Sequence, residues 1–222
     1  MYMKPLSPIE TGKQLRKPDG AAGIAIGRDM NRSNRLMYTD LFTLLTLNDL
    51  DTVLEIGYGN GMHFPAYFVP GKAITLYGMD YSEVMHQEAL QNNASFVAVG
   101  SVIPEYGDII NCTYPDNKFD HIIALNTVYF WEPLENYLSV LFRILKPGGK
   151  LYIGYRPKRV LHQVDFVLEG FALYDEVVLN EQLEKAGFEI IQEHQHNYSK
   201  MTVNGQPLES TDLVTVCIKK EQ

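Results

Sequence analysis

Cysteine is scarce in this 222-residue chain: the two present, Cys112 and Cys217, have no metal-type spacing. They read as reduced structural thiols, so neither a disulfide framework nor a metal site is expected. No apolar run approaches the roughly 20 residues that a bilayer-crossing helix requires, and Met1-Tyr2-Met3-Lys4-Pro5 lacks the apolar region of a signal peptide. A cytoplasmic protein without a membrane span is the expectation. Also missing are a Ser/Pro/Gly-rich linker, a low-complexity tract and an internal repeat, which leaves one domain with additions. Positive charge is in deficit, with 19 Lys+Arg against 27 Asp+Glu and a net charge of −8. A general nucleic-acid binder, which must neutralise phosphates, is therefore disfavoured.

What is present is enough for a sizeable core: 45% of the residues are hydrophobic and 21% charged. The charge is unevenly placed. Residues 1–35 hold Lys4, Lys13, Arg16, Lys17, Arg28, Arg32 and Arg35 against Glu10, Asp19 and Asp29, so this arm is net +4 and the remainder −12. Such an arm either meets something anionic or docks on the acidic body.

From residue 51 onward, strand-like and helix-like segments alternate in the manner of βαβ units on a mostly parallel sheet. Strands are expected at 51–56, 73–79, 102–107, 119–126 and 151–155. Helices are expected at 61–69, from an N-cap at Ser82 to about 99, at 133–145 with Leu134, Leu138, Leu141 and Leu145 on one face, and at 175–186. The tail breaks the alternation, because 189–195 and 213–219 are strand-like with only a turn region containing Asn204-Gly205 between them. Two strands without a crossover helix pair antiparallel.

The most telling stretch is Val53-Leu54-Glu55-Ile56-Gly57-Tyr58-Gly59-Asn60-Gly61, a short apolar run ending in three glycines on alternate positions. Glycines there let a ligand lie against bare backbone N–H groups. A dinucleotide fingerprint wants G-x-G-x-x-G/A, and here the third glycine comes one residue early, which disfavours NAD and FAD. Asp80, 19 residues after Gly61, closes the second strand, where an acid can accept both ribose hydroxyls of a nucleoside. Gly107-Asp108-Ile109 closes the third, and Phe119 to Trp131 forms a fourth strand opening into an aromatic loop.

Glu55-x-Gly57-x-Gly59-x-Gly61, Asp80, Asp108-Ile109, and Leu141-Phe142-Arg143-Ile144-Leu145-Lys146-Pro147-Gly148-Gly149 together resemble the ordered motifs of class I S-adenosylmethionine-dependent methyltransferases. The resemblance, with the final helix and paired strands, covers about three quarters of the chain. It implies a three-layer α/β, Rossmann-like fold whose mostly parallel seven-stranded sheet ends in an antiparallel hairpin. It implies a domain over 50–222, a helical, basic arm and cap over 1–49, and a substrate-side insertion at 156–174. S-adenosylmethionine is the implied cofactor. The resemblance places it against Glu55, Gly57, Tyr58, Gly59 and Gly61, with Asp80 on the sugar, Tyr81, Asp108 and Ile109 around the adenine, and Asn126 near the methionine end. Tyr58 stands where relatives carry a smaller residue, which would narrow access.

Methyl transfer from a sulfonium needs alignment and no covalent residue, although an oxygen or nitrogen acceptor can need a base. His63, Tyr129 and His162 are the candidates. Arg28, Arg32, Tyr129, Trp131 and Arg156 are candidate acceptor contacts, the arginines suiting a carboxylate or phosphate. The reading is a methyltransferase acting on a small, possibly anionic molecule, as a monomer or homodimer; the alternative is a catalytically silent cofactor-binding partner or sensor.

Overall fold

The computed structural model describes residues 6–165, 170–201 and 207–220. Its core is a seven-stranded sheet in the order β3-β2-β1-β4-β5-β7-β6. The strands are β1 (Thr52–Ile56), β2 (Thr75–Asp80), β3 (Val102–Tyr106), β4 (Phe119–Leu125), β5 (Leu145–Tyr155), β6 (Phe188–Met201) and β7 (Pro207–Lys219). The first five run parallel, while β7 pairs antiparallel with both β5 and β6.

Strands covered on both faces must be apolar on both faces, and alternate residues of β1 and β4 feed two separate cores. Leu54, Ile56, Ile122 and Ala124 pack with Leu138 and Leu141 of α5 (Leu134–Ile144) and Leu179 and Leu183 of α7 (Glu176–Lys185). Val53, Ile123 and Leu125 pack with Met37, Tyr38 and Leu41 on the other face. Those three belong to the arm, which forms α1 (Pro8–Arg16) and the 25-residue α2 (Gly20–Leu44). Ser7 and Glu10 close a reciprocal capping box on α1, satisfying donors that a helix start leaves free. Gly154 of β5 lets α2 settle closely, since a Cβ there would sit 2.8 Å from the Met37 sulfur.

Several boundaries differ from expectation. The segment 61–69 is not an α-helix but a 3₁₀ turn, Phe64–Phe68. Pro65 removes an N–H from the turn, and the three-residue spacing of Phe64 and Tyr67 puts both rings on one side of a 3₁₀ turn, where both are buried. The helix after Ser82 breaks into α3 (Glu83–Asn92) and α4 (Ala94–Ala98), and Asn93 at the break donates its side-chain amide to Ala89 O and Gly61 O. Ser82 caps α3 as expected, accepting from Met85 N at 3.2 Å.

Lys146-Pro147-Gly148-Gly149 lies within β5, as an irregular stretch between the pairs Phe119–Leu145 and His121–Lys150. The terminal strands pair from Phe188–Lys219 to Met201–Pro207, longer than read; Asn204 and Gly205 lie outside the described residues. In the insertion, α6 (Lys158–Leu161) is a single turn. No helix among the described residues is long and apolar enough to cross a membrane.

Candidate functional site

Strand order reverses between β1 and β4, and such a switch point is where open α/β sheets hold ligands, beyond the carboxyl ends of their strands. A cleft opens there, lined by residues from the β1, β2 and β4 ends and from α2.

Its floor is the glycine turn after β1. Gly57, Gly59 and Gly61 all have left-handed φ, +68°, +60° and +65°, and each serves a different neighbour. A Cβ on Gly57 would lie 2.1 Å from Thr127 Cγ2, so that glycine lets the β1 turn meet the loop after β4. A Cβ on Gly61 would lie 2.7 Å from Asn93 Nδ2, so that one packs the turn on α3 and does not line the cleft. Gly59 faces nothing within 4 Å. It is the bare main chain at the floor.

Asp80, at the end of β2, accepts from Gly59 N and Ser82 N, each at 2.8 Å. The residue is 8% exposed, and burial raises its pKa from 3.8 to about 6 against the opposing pull of those amides. An acid held on two backbone donors at a cleft wall is positioned to take hydroxyls with its remaining lone pairs.

Glu55 does not line the cleft. It is 1% exposed, accepts the Tyr38 hydroxyl, and is pushed up to about 7 by burial, with the Tyr38 and Tyr67 hydroxyls pulling it back down. Its role is to fasten α2 to β1 through Tyr38, whose side does line the cleft. Tyr58 does not narrow the cleft with its phenol: the hydroxyl donates to Glu105 O at 3.1 Å and lies 2.9 Å from His86 Nδ1, and Gly78 leaves the space for its ring.

The far wall is a connected polar set. Asn126, also at positive φ (+55°), follows β4; its Nδ2 donates to Asn34 Oδ1 at 3.0 Å, and its Oδ1 accepts the Tyr129 hydroxyl at 3.0 Å. Arg156 sends Nε to Asp212 Oδ1 and an amino group to Ser33 O, both at 2.9 Å, and its backbone N donates to the Tyr129 hydroxyl. Ile109, Tyr81 and Asp108 complete the opposite end, where Asp108 Oδ2 accepts the Tyr137 hydroxyl at 3.2 Å and Trp131 stacks on Tyr137 at 5.5 Å.

Of the expected cofactor contacts, Gly57, Tyr58, Gly59, Asp80, Tyr81, Asp108, Ile109 and Asn126 converge on the cleft, with Trp131 beside them. The candidate bases do not reach it. His63 stacks on Tyr38 with ring centroids 3.6 Å apart, and burial pulls it down to about 4. Tyr129 is 4% exposed, spends its hydroxyl on Asn126 and Arg156, and burial raises its pKa. His162 follows α6 at the surface. Among the arginines, Arg156 is committed to its buried pair, Arg32 pairs with Asp29 on the outer side of α2, and exposed Arg28 is not at the cleft.

The arm supplies what was not foreseen. Gly27, Met30, Asn31, Asn34 and Tyr38 line the cleft from α2, and Arg16 from α1. Their signal was present as small and polar residues at spacings of three and four, which form one face of a helix.

A methyltransferase-domain family profile matches residues 54–153. The chain is 30% identical over 118 residues to the uncharacterized methyltransferase YdaC of Bacillus subtilis, covering 51% of this chain and 63% of that protein. It is 29% identical over 155 residues to phosphoethanolamine N-methyltransferase 3 of Arabidopsis thaliana, covering 66% of this chain but 30% of that one. The chain thus spans less than two thirds of the length of these relatives. Among solved structures, a chain of the complex between the Haloferax volcanii Trm112 methyltransferase activator and a methyltransferase superposes with a TM-score of 0.73 at 18% identity, over 96% of this chain and 98% of that one. A Bacillus halodurans structure described as a methyltransferase gives 0.67 at 15% identity, over 82% and 98%. The ordered motifs and the sheet topology agree with these likenesses: residues 54–153 match the methyltransferase-domain family, and the chain has the Rossmann-like fold of class I methyltransferases.

Proposed function

We propose that the chain is an enzyme that holds S-adenosylmethionine in the cleft between β1 and β4 and methylates a small molecule there. The observation that carries the reading is Gly59, whose main chain meets open space beside the buried Asp80 carboxylate. A Cβ would fill that cradle. In this reading Asp80 accepts the sugar hydroxyls, Asp108 and Ile109 hold the adenine, and Asn126 with the Gly57–Gly59 main chain holds the methionine end. When bound, the cofactor supplies a methyl group on a sulfonium, already activated for displacement. The residues of the chain then orient and desolvate: α2 closes one side of the cleft with Asn31, Asn34 and Tyr38, and Phe130 and Trp131 close another.

An anionic acceptor is the finer proposal. Arg16 is the one cation among the described residues lining the cleft, and it forms no ion pair among them, so we assign the anion to Arg16 in place of Arg28, Arg32 and Arg156. The relative that acts on phosphoethanolamine is consistent with such an acceptor.

A cofactor-binding partner without turnover is the second reading, favoured because no histidine is among the described lining residues. Calorimetric titration with S-adenosylmethionine gives binding under both. Formation of S-adenosylhomocysteine on adding a small-molecule metabolite extract supports the enzyme; binding without any product supports the silent protein.

A further inference from the structure

On the sheet surface beneath α2, away from the cleft, His194 and His196 stand two residues apart on β6 and so project from the same face. Asp40 reaches them from α2 across 156 residues of sequence. The His196 Nδ1 lies 2.9 Å from Asp40 Oδ2 and 3.1 Å from Oδ1, and the His194 Nε2 lies 3.4 Å from Oδ1. One ligand atom from each residue falls within 4.8 Å of the other two. Asp40 is 7% exposed, while both imidazoles are about one third open to solvent.

An ordinary ion pair needs one imidazole; here two direct a ring nitrogen at the same buried carboxylate. Two imidazoles and a carboxylate form a donor set suited to zinc and neighbouring divalent transition metals, whereas calcium and magnesium call for oxygen. Tetrahedral zinc, with bonds of about 2.0–2.2 Å, sets its ligand atoms roughly 3.3 Å apart. The two Asp40–imidazole spacings bracket that value, and the imidazoles, one third open, can rotate to close the third side. The site is backed by further polar structure: Asp212, cross-strand from His196, is paired with Arg156 and accepts the Tyr198 hydroxyl at 3.1 Å, while the Tyr198 ring stands edge-on to His196.

We infer that Asp40, His194 and His196 form a binding site for a divalent transition-metal ion of the zinc type, which fastens α2 to the terminal hairpin. Each neutral imidazole binds through the nitrogen now facing Asp40 and carries its proton on the other. The fourth position is left to water. Because Asp40 lies two residues beyond Tyr38, the ion would pin the helix that walls the cleft. The scarcity of cysteine is no obstacle, as this donor set uses none.

The test is calorimetric titration of the metal-free full chain with zinc chloride, paired with histidine modification by diethyl pyrocarbonate with and without zinc. The expected result is one site per chain, affinity at least tenfold weaker in each of H194Q and H196Q, and zinc-dependent protection of His194 and His196. An absence of stoichiometric binding would overturn the inference, as would binding undiminished in the H194Q/H196Q double variant. Should the variants fail to fold, footprinting of the unaltered chain decides alone: both histidines modified equally with and without zinc removes the site.

Discussion

Asp80→Asn is the sharpest perturbation of the proposed cofactor site, because Asn is a near-isosteric stand-in for the protonated acid. In the folded chain burial raises the Asp80 pKa from 3.8 to about 6. The folded state therefore holds the proton more tightly than the unfolded state. The stability this confers is fully present below pH 3.8 and is lost as pH rises through 6. The gap corresponds to roughly 3 kcal/mol, so ionised Asp80 weakens the ligand-free protein by an amount of that order at pH 8. Asn cannot ionise, but its amide group faces one of two backbone N–H donors and forfeits a hydrogen bond, costing about 1–3 kcal/mol at every pH. Urea unfolding of both proteins from pH 4 to pH 8 is then expected to show the Asn variant gaining on the natural chain by roughly 2–2.5 kcal/mol across that range. At the alkaline end of the series, where Asp80 is ionised, the variant should lose tenfold or more in S-adenosylmethionine affinity, since charge-assisted hydrogen bonds contribute about 1.5–3 kcal/mol. A stability difference that does not change with pH, or an undiminished affinity, refutes the reasoning.

Gly59→Ala should cost about 1–2 kcal/mol of stability for an L-residue at positive φ yet weaken cofactor binding steeply, because its methyl group enters the cleft; Gly57→Ala should cost clearly more stability through its clash with Thr127, and thermal melts with binding assays on both separate the two roles. Arg156→Ala leaves Asp212 buried without its partner and should destabilise by about 3–5 kcal/mol, measured by denaturant unfolding; a loss below 1 kcal/mol would mean that the pair does not hold α2 in place. Arg16→Gln is expected to raise KM for an anionic acceptor while leaving cofactor affinity within twofold, and a fall in cofactor affinity alone would move Arg16 to the adenosyl end.

The strands were readable because their apolar runs and terminal acids mark both ends: β1 stops at the glycines, β2 at Asp80 and β4 at Asn126. The cleft wall after the sheet was readable for the same reason, as it is built from residues at strand ends, local in sequence to the motifs that flag them. Tertiary choices were hidden. Nothing local says that α2, 25 residues long, packs its Met37, Tyr38 and Leu41 onto the sheet, or that the segment after Gly61 tightens to a 3₁₀ turn. Candidate bases were chosen by residue type and loop position, and packing took two of them up: His63 lies under Tyr38, and Tyr129 is held between Asn126 and Arg156. Arg156 read as a free cation because its partner Asp212 is 56 residues away.

A crystal structure of the full chain grown with S-adenosylhomocysteine examines the central claim most directly. The account predicts the ligand between β1 and β4, its sugar on Asp80 and its backbone-facing side against Gly59. A saturated crystal with the cleft between Gly59, Asp80 and α2 closed or vacant, or with the ligand seated elsewhere, would contradict it.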